Sequence, residues 1–166
     1  MTHNLLEVEN LATTFHSRGQ KVQAVRGIDL HVEEGEVLGI VGESGSGKSV
    51  TMKTVMGLLP ENAAVSSDKL VFGGRDLKTI SREDYRKIRG KEMTMIFQDP
   101  MTALDPLKKI GGHLTEVILR HSDCSKAAAR ARAIEVLGMV GIPNPEERMD
   151  QYPHEFSGGM RQRVVI

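Results

Sequence analysis

Residues Glu36 to Val41 read EVLGIV, and Gly42 to Ser49 read GESGSGKS. A compact apolar run that feeds a glycine-rich turn is the pattern of a strand buried on both faces and ending in a loop. Ser49 to Leu59 then places apolar residues at Val50, Val55, Met56, Leu58 and Leu59 before Pro60 stops the pattern, which predicts a helix. Strand, GxxxxGKS and helix in that order predict a phosphate-binding loop. Each residue type has a chemical reason. Glycines Gly42, Gly45 and Gly47 let the backbone bend until the N–H groups of Glu43, Ser44, Ser46 and their neighbours converge on a β-phosphate. The helix beginning at Ser49 and Val50 adds its positive N-terminal end. Lys48 supplies a charge to the β- and γ-phosphates, and the Ser49 hydroxyl suits Mg²⁺.

Outward from this loop the chain divides by pattern. Leu5 to Val8 reads as a short strand, and Val22 to Val32 alternates imperfectly up to the turn Glu33, Glu34, Gly35, so a hairpin or meander precedes the loop. Downstream, Leu70 to Phe72 with Gly73 and Gly74 is a strand and turn. Ser81 with Asp84 three positions on starts a helix that runs through Ile88, and Met93 to Phe97 (MTMIF) reads as a core strand. From Pro106 the period changes. Ile110, Leu114, Val117, Ile118 and Leu119 fit one helical face, and Ser125 opens an Ala-rich helix striped by Ile134, Leu137 and Val140. The fold class is α/β, with an N-terminal antiparallel β part and a helical part.

A phosphate loop alone does not separate a GTPase, a kinase and a transport ATPase. No NKxD element for guanine is present, Asp99 is followed by Pro100, Met101 and Thr102 where DxxG would be needed, and the region from Pro106 to Val140 has no fork of arginines that would make a kinase lid. Three further blocks decide between them: Met95 to Pro106 (MIFQDPMTALDP), Tyr152 to Val164 (YPHEFSGGMRQRV), and the aromatic Phe15 upstream of the loop. With these, the chain resembles the ATP-binding subunits of ABC transporters. The wording of GESGSGKS, IFQDPMTALDP and FSGGM is similar to the importers of dipeptides, oligopeptides, nickel or glutathione; Phe156 and Met160 depart from the commoner LSGGQ, as is normal in that subfamily.

The resemblance implies a P-loop NTPase core and several roles. Gln98 is the Q-loop glutamine, which reaches Mg²⁺ and the γ-phosphate; Phe15 stacks on adenine. Ser157, Gly158 and Gly159 are the signature. As an N-cap followed by two glycines they form a second anion site. Two phosphate sites on one chain imply that ATP is shared head to tail between two chains, each signature capping the partner's γ-phosphate. The implied cofactors are ATP and Mg²⁺. A second ATPase subunit and membrane permeases are the implied partners, with Asp99 to Ile110 as the permease contact and an external solute-binding protein acting indirectly. The implied location is peripheral, at the cytoplasmic face of the inner membrane. Residues 1–105 are expected to form the β part and core through the Q-loop, 106–156 the helical part, and 157–166 the start of the signature helix.

Composition agrees without adding a partner. Among 166 residues, Lys plus Arg (22) balances Asp plus Glu (22), so no net field favours nucleic acid. No apolar stretch approaches the roughly 18 residues of a membrane span, the N-terminus lacks the pattern of a secretory signal, and the single Cys124 fits a reducing compartment. The histidines, including His113 near Glu116 and His121 near Asp123, lack metal-ligand spacing. His154 is expected to pack or hydrogen-bond; Arg161 and Arg163 are open between phosphate and solvent.

No Walker B pattern, an apolar run ending in Asp and Glu, follows the signature before Ile166. The resemblance therefore implies about half of such a subunit. Because general-base catalysis is worth roughly 10²- to 10⁴-fold, this chain is expected to bind nucleotide better than it hydrolyses it. It is also expected to be marginally stable, with the buried strand Glu36 to Val41 presenting an open edge. The alternative reading is a catalytically silent nucleotide-binding or interaction module.

Overall fold

The computed structural model describes residues 4–17, 19–97 and 103–166, which form two compact units, Met1–Met93 and Thr94–Ile166. Among the described residues no helix is long and apolar enough to cross a membrane.

The first unit is built on a long hairpin. Strands β1 (Asn4–Ser17) and β2 (Gln20–Glu33) pair antiparallel, and β3 (Ala63–Ser66) and β4 (Lys69–Phe72) both pair with the other edge of β1, with β5 (Arg75–Asp76) beyond β4. Val8 and Leu11 on β1 are both buried, three residues apart because the strand is irregular between them, with Asn10 at φ +49, and each is worth on the order of 1.5 to 3 kcal/mol against exposure. The short stretch Leu5 to Val8 thus belongs to a far longer strand, because the irregularities along β1 break its alternation, while Val22 to Val32 lies within β2 and nearly spans it. Helix α1 (Lys48–Val55) packs on this sheet, and α2 (Arg82–Ile88) follows β5. The Ser81 hydroxyl caps α2 as its spacing predicts: it accepts from Asp84 N–H at 3.1 Å and donates to the Asp84 carboxylate at 2.7 Å. That bond, with help from Lys87, holds the Asp84 carboxyl below its ordinary range.

Helix α1 stops earlier than expected. The reason is Gly57, at φ +61, where Leu58 N–H reaches Lys53 O and Gly57 N–H reaches Thr54 O, a double cap that satisfies the last carbonyls. The Arg89 guanidinium then donates to Met56 O and Gly57 O, both at 2.7 Å, while lying 4.7 Å from the Tyr85 ring centre. Burial pushes the Tyr85 phenol up, opposed by that guanidinium.

Two expected strands are absent. Glu36 to Val41 forms no strand, and Val37 and Val41 are 94% and 97% exposed. Met93 makes only an isolated bridge to Arg89, and Ile96 is 57% exposed beyond it. The apolar pattern is real, but a strand exists only when a neighbour takes its N–H and C=O groups, and among the described residues nothing pairs with Glu36 to Val41 or continues the single bridge at Met93.

The second unit is helical: α3 (Ile110–His121), α4 (Lys126–Met139), α5 (Pro145–Arg148), a 3₁₀ turn at Pro153–Glu155, and α6 (Gly158–Val165). Ile110, Ala133, Leu137, Ile142, Met149 and Phe156 form its core, with Leu114 and Ile118 packed against it. The apolar face of α3 is narrower than its sequence predicts, since Val117 and Leu119 face outward. On α4 the buried positions include Ala129 and Ala133, where small side chains let a neighbouring element approach closely. Ser125 caps α4 by accepting from Ala128 N–H at 3.2 Å. Ser125→Ala is expected to cost about 1 kcal/mol and Ser125→Gly only a few tenths; equal midpoints for both variants and the parent in urea unfolding would refute the cap.

Candidate functional site

The loop between β2 and α1 closes on Lys48. Its ammonium donates to Gly42 O at 2.6 Å, Glu43 O at 2.7 Å and Ser46 Oγ at 3.1 Å, so all three of its protons point into the loop. Ser46 N–H turns back to Glu43 O at 3.3 Å. A Cβ on Gly42 would come within 2.9 Å of Ser46 Oγ and 3.8 Å of Lys48 Nζ. A side chain at Gly42 would therefore press on the Ser46 hydroxyl that Lys48 holds, whereas Gly45, at φ +84, has open space around it. Helix α1 begins at Lys48, and Ser49 and Val50 follow in its first turn, with the Ser49 side chain in solvent. That turn directs unbonded backbone N–H groups toward the same space.

The hairpin supports this cradle from below. β2 carries an extra residue opposite β1, since Thr13 pairs with Val25 while Thr14 pairs with Gln23, which leaves Ala24 as a bulge. Gly47, at φ +93, lies directly on it: a Cβ there would sit 2.6 Å from Ala24 O. One turn along α1, Thr51 Oγ1 donates back to Gly47 O at 3.1 Å. No motif marks Ala24; a bulge has no sequence signature of its own here.

Of the remaining expected site residues, Phe15 lies on β1, half-buried, paired with Val22 on one side and Ala63 on the other. Gln98 falls outside the described residues. In the helical unit Ser157 caps α6, accepting from Met160 N–H at 3.3 Å, and Gly158 and Gly159 begin the helix with nothing near them that a Cβ would touch. In the segment before it Tyr152 N–H donates to the Glu155 carboxylate at 2.7 Å, and the Tyr152 and His154 rings stack at 5.6 Å. His154 thus packs as expected. Arg163 is tied to structure, donating to Gly141 O at 3.0 Å. The Arg161 Nε is buried with no partner among the described residues. Among them, too, no group of three or more His, Cys, Asp or Glu is placed to hold a metal.

The family model described as ABC transporter matches residues 25–166, most of the chain, including the glycine loop closed by Lys48. The chain belongs to the ABC transporter family. Its relatives include an oligopeptide transport ATP-binding protein, OppD of Bacillus subtilis, 53% identical over 98% of this chain and 46% of the relative. The dipeptide transport ATP-binding protein DppD of Escherichia coli is 48% identical over 98% of this chain and 50% of its own length. The chain spans about half the length of these curated relatives. Among solved structures, a dimeric ATP-binding cassette in a post-hydrolysis state with ADP and Pi superposes with a TM-score of 0.77 at 23% identity, covering 96% of this chain and 66% of that one. The fold class is accordingly that of ABC ATPase cassettes, α/β with an antiparallel sheet and helices.

Proposed function

We propose that this chain is the ATP-binding, energy-coupling part of an ABC importer for oligopeptides or dipeptides. The Lys48 cradle is the observation that carries the reading, and the names of the relatives support the peptide branch over nickel. In this reading the backbone of Gly42 to Val50 and the Lys48 ammonium hold the β- and γ-phosphates. Lys48 exchanges the loop acceptors for phosphate oxygens, which gives a charge-assisted bond in place of neutral ones. The Ser49 hydroxyl is an oxygen ligand of the kind Mg²⁺ takes alongside phosphate and water, with Gln98 as the second protein contact. Mg²⁺, when bound, supplies neutralisation of charge that develops on the transferred phosphoryl group. Phe15 offers a ring face to adenine.

The signature belongs to the other half of the reaction. Ser157, Gly158 and Gly159 offer a capped helix start with open backbone, suited to the γ-phosphate held by a second subunit. ATP thereby joins two subunits, and closure of that pair drives permeases at the cytoplasmic face of the membrane, to which the subunit binds peripherally. Asp99 to Ile110 is the segment proposed to meet the permease. ATP with Mg²⁺ is expected to convert the chain to a dimer in sedimentation velocity, and Ser157→Arg to leave it monomeric. A chain that binds ATP and stays monomeric, or a Ser157→Arg variant that still dimerises, would refute the shared site.

A further inference from the structure

Two threonines outside every motif join the phosphate loop to the strand that carries Phe15. Thr13 on β1 is fully buried and Thr54 on α1 nearly so, and their Oγ1 atoms are 3.0 Å apart. Thr54 Oγ1 also lies 2.7 Å from Val50 O and donates to it. A hydroxyl has one proton to give. With the Thr54 proton on Val50 O, Thr13 must be the donor of the pair, so the bonds run in one direction: Thr13 to Thr54, and Thr54 to Val50 in the first turn of α1.

Both ends of this relay touch the site. Val50 follows Lys48 and Ser49, and Thr51 ties the same turn to Gly47. At the other end Thr13 and Phe15 are two residues apart on a strand whose pairing with β3 is regular between them, so both side chains share one face. An apolar pair at these positions would fill the same volume but leave the helix free to slide along the sheet, because apolar contact has no direction. A buried hydrogen bond fixes the offset.

We infer that Thr13 and Thr54 are positioning residues that set the distance between the phosphate cradle and Phe15, so that one nucleotide is gripped at both ends. This rests on the adenine role proposed for Phe15. The test compares binding of ATP and of inorganic tripolyphosphate, each with Mg²⁺, by titration calorimetry. Replacing both partners by apolar groups of the same shape costs little stability, so Thr13→Val combined with Thr54→Val is the main variant.

The double variant is expected to melt near the parent, to bind tripolyphosphate as the parent does, and to bind ATP roughly two- to tenfold more weakly, the range set by the one of its two lost hydrogen bonds that joins strand to helix. Thr54→Ser, which keeps the hydroxyl, is expected to bind both ligands as the parent does. Equal weakening for both ligands, or unchanged ATP affinity, would overturn the inference. Phe15→Ala separates it from the reading beneath it. If that variant loses its preference for ATP while the valine variants keep it, the threonine coupling is wrong and the adenine role stands. If Phe15→Ala keeps the preference, both are wrong.

Discussion

Lys48→Ala is expected to weaken ATP binding by about 1.5 to 3 kcal/mol, the worth of a charge-assisted contact, while the chain unfolds at nearly the parent's temperature. The two halves of this result have separate causes. The ammonium is the only side-chain cation in the cradle among the described residues, and its three protons already point at the place where phosphate oxygens are proposed to sit. Its present acceptors, Gly42 O, Glu43 O and Ser46 Oγ, lie in exposed residues, so removing the side chain returns them to water and leaves no buried polar group unpaired. Lys48→Arg is not expected to rescue binding, since a planar fork does not reproduce three tetrahedral donors inside a loop this tight. Titration calorimetry against ATP with Mg²⁺ is the measurement, and undiminished affinity in Lys48→Ala would refute the phosphate site.

Gly47→Ala is expected to destabilise the first unit by about 2 kcal/mol or more, and to weaken nucleotide binding with it. At φ +93 a residue with a side chain is strained by roughly 1 to 3 kcal/mol. The new methyl group would also stand 2.6 Å from Ala24 O and 3.6 Å from Val25 Cγ2. Neither can yield cheaply. Ala24 O belongs to the bulge on which the hairpin register turns, and Val25 is buried. For a chain of this size the loss amounts to about 4 to 8 °C in melting temperature. A melt and an ATP affinity both equal to the parent's would show that the loop does not rest on the bulge.

Much of this site was legible in the residues. GESGSGKS named its own lysine, its glycines and its following helix, and Ser81, Ser125 and Ser157 each announced a helix start that the structure confirms with a side-chain hydrogen bond. Gly57 and Gly141 end their helices, although neither is among the helix ends expected from the sequence: each adopts a positive φ one residue after the cap, and Ile142 N–H reaches Leu137 O as Leu58 N–H reaches Lys53 O. Gly57 was there to be read, although Pro60 drew the expected boundary outward.

Other features had no local signature. Nothing in VQAVRG at residues 22–27 tells that Ala24 is the extra residue of a bulge, because the register depends on how β1 and β2 twist against each other. Nothing in the helix marks Thr54 as the partner of Thr13, which lies 41 residues away. On α3, Val117 and Leu119 look as apolar as Ile118, and only the packing of α4 decides that they stay outside the core.

The division follows the range of the forces. By itself the sequence determined the lysine-closed glycine loop, the caps and, from several such blocks, the family, because each block is an arrangement of donors, acceptors and glycines within a few residues of one another. Tertiary structure alone decided what those pieces rest on: the Ala24 bulge beneath Gly47, the threonine bond beneath α1, and the fate of Glu36 to Val41. That last run is written as a buried strand, yet a strand's hydrogen bonds are all made to other segments. Without one alongside among the described residues, its apolar side chains lie open to water.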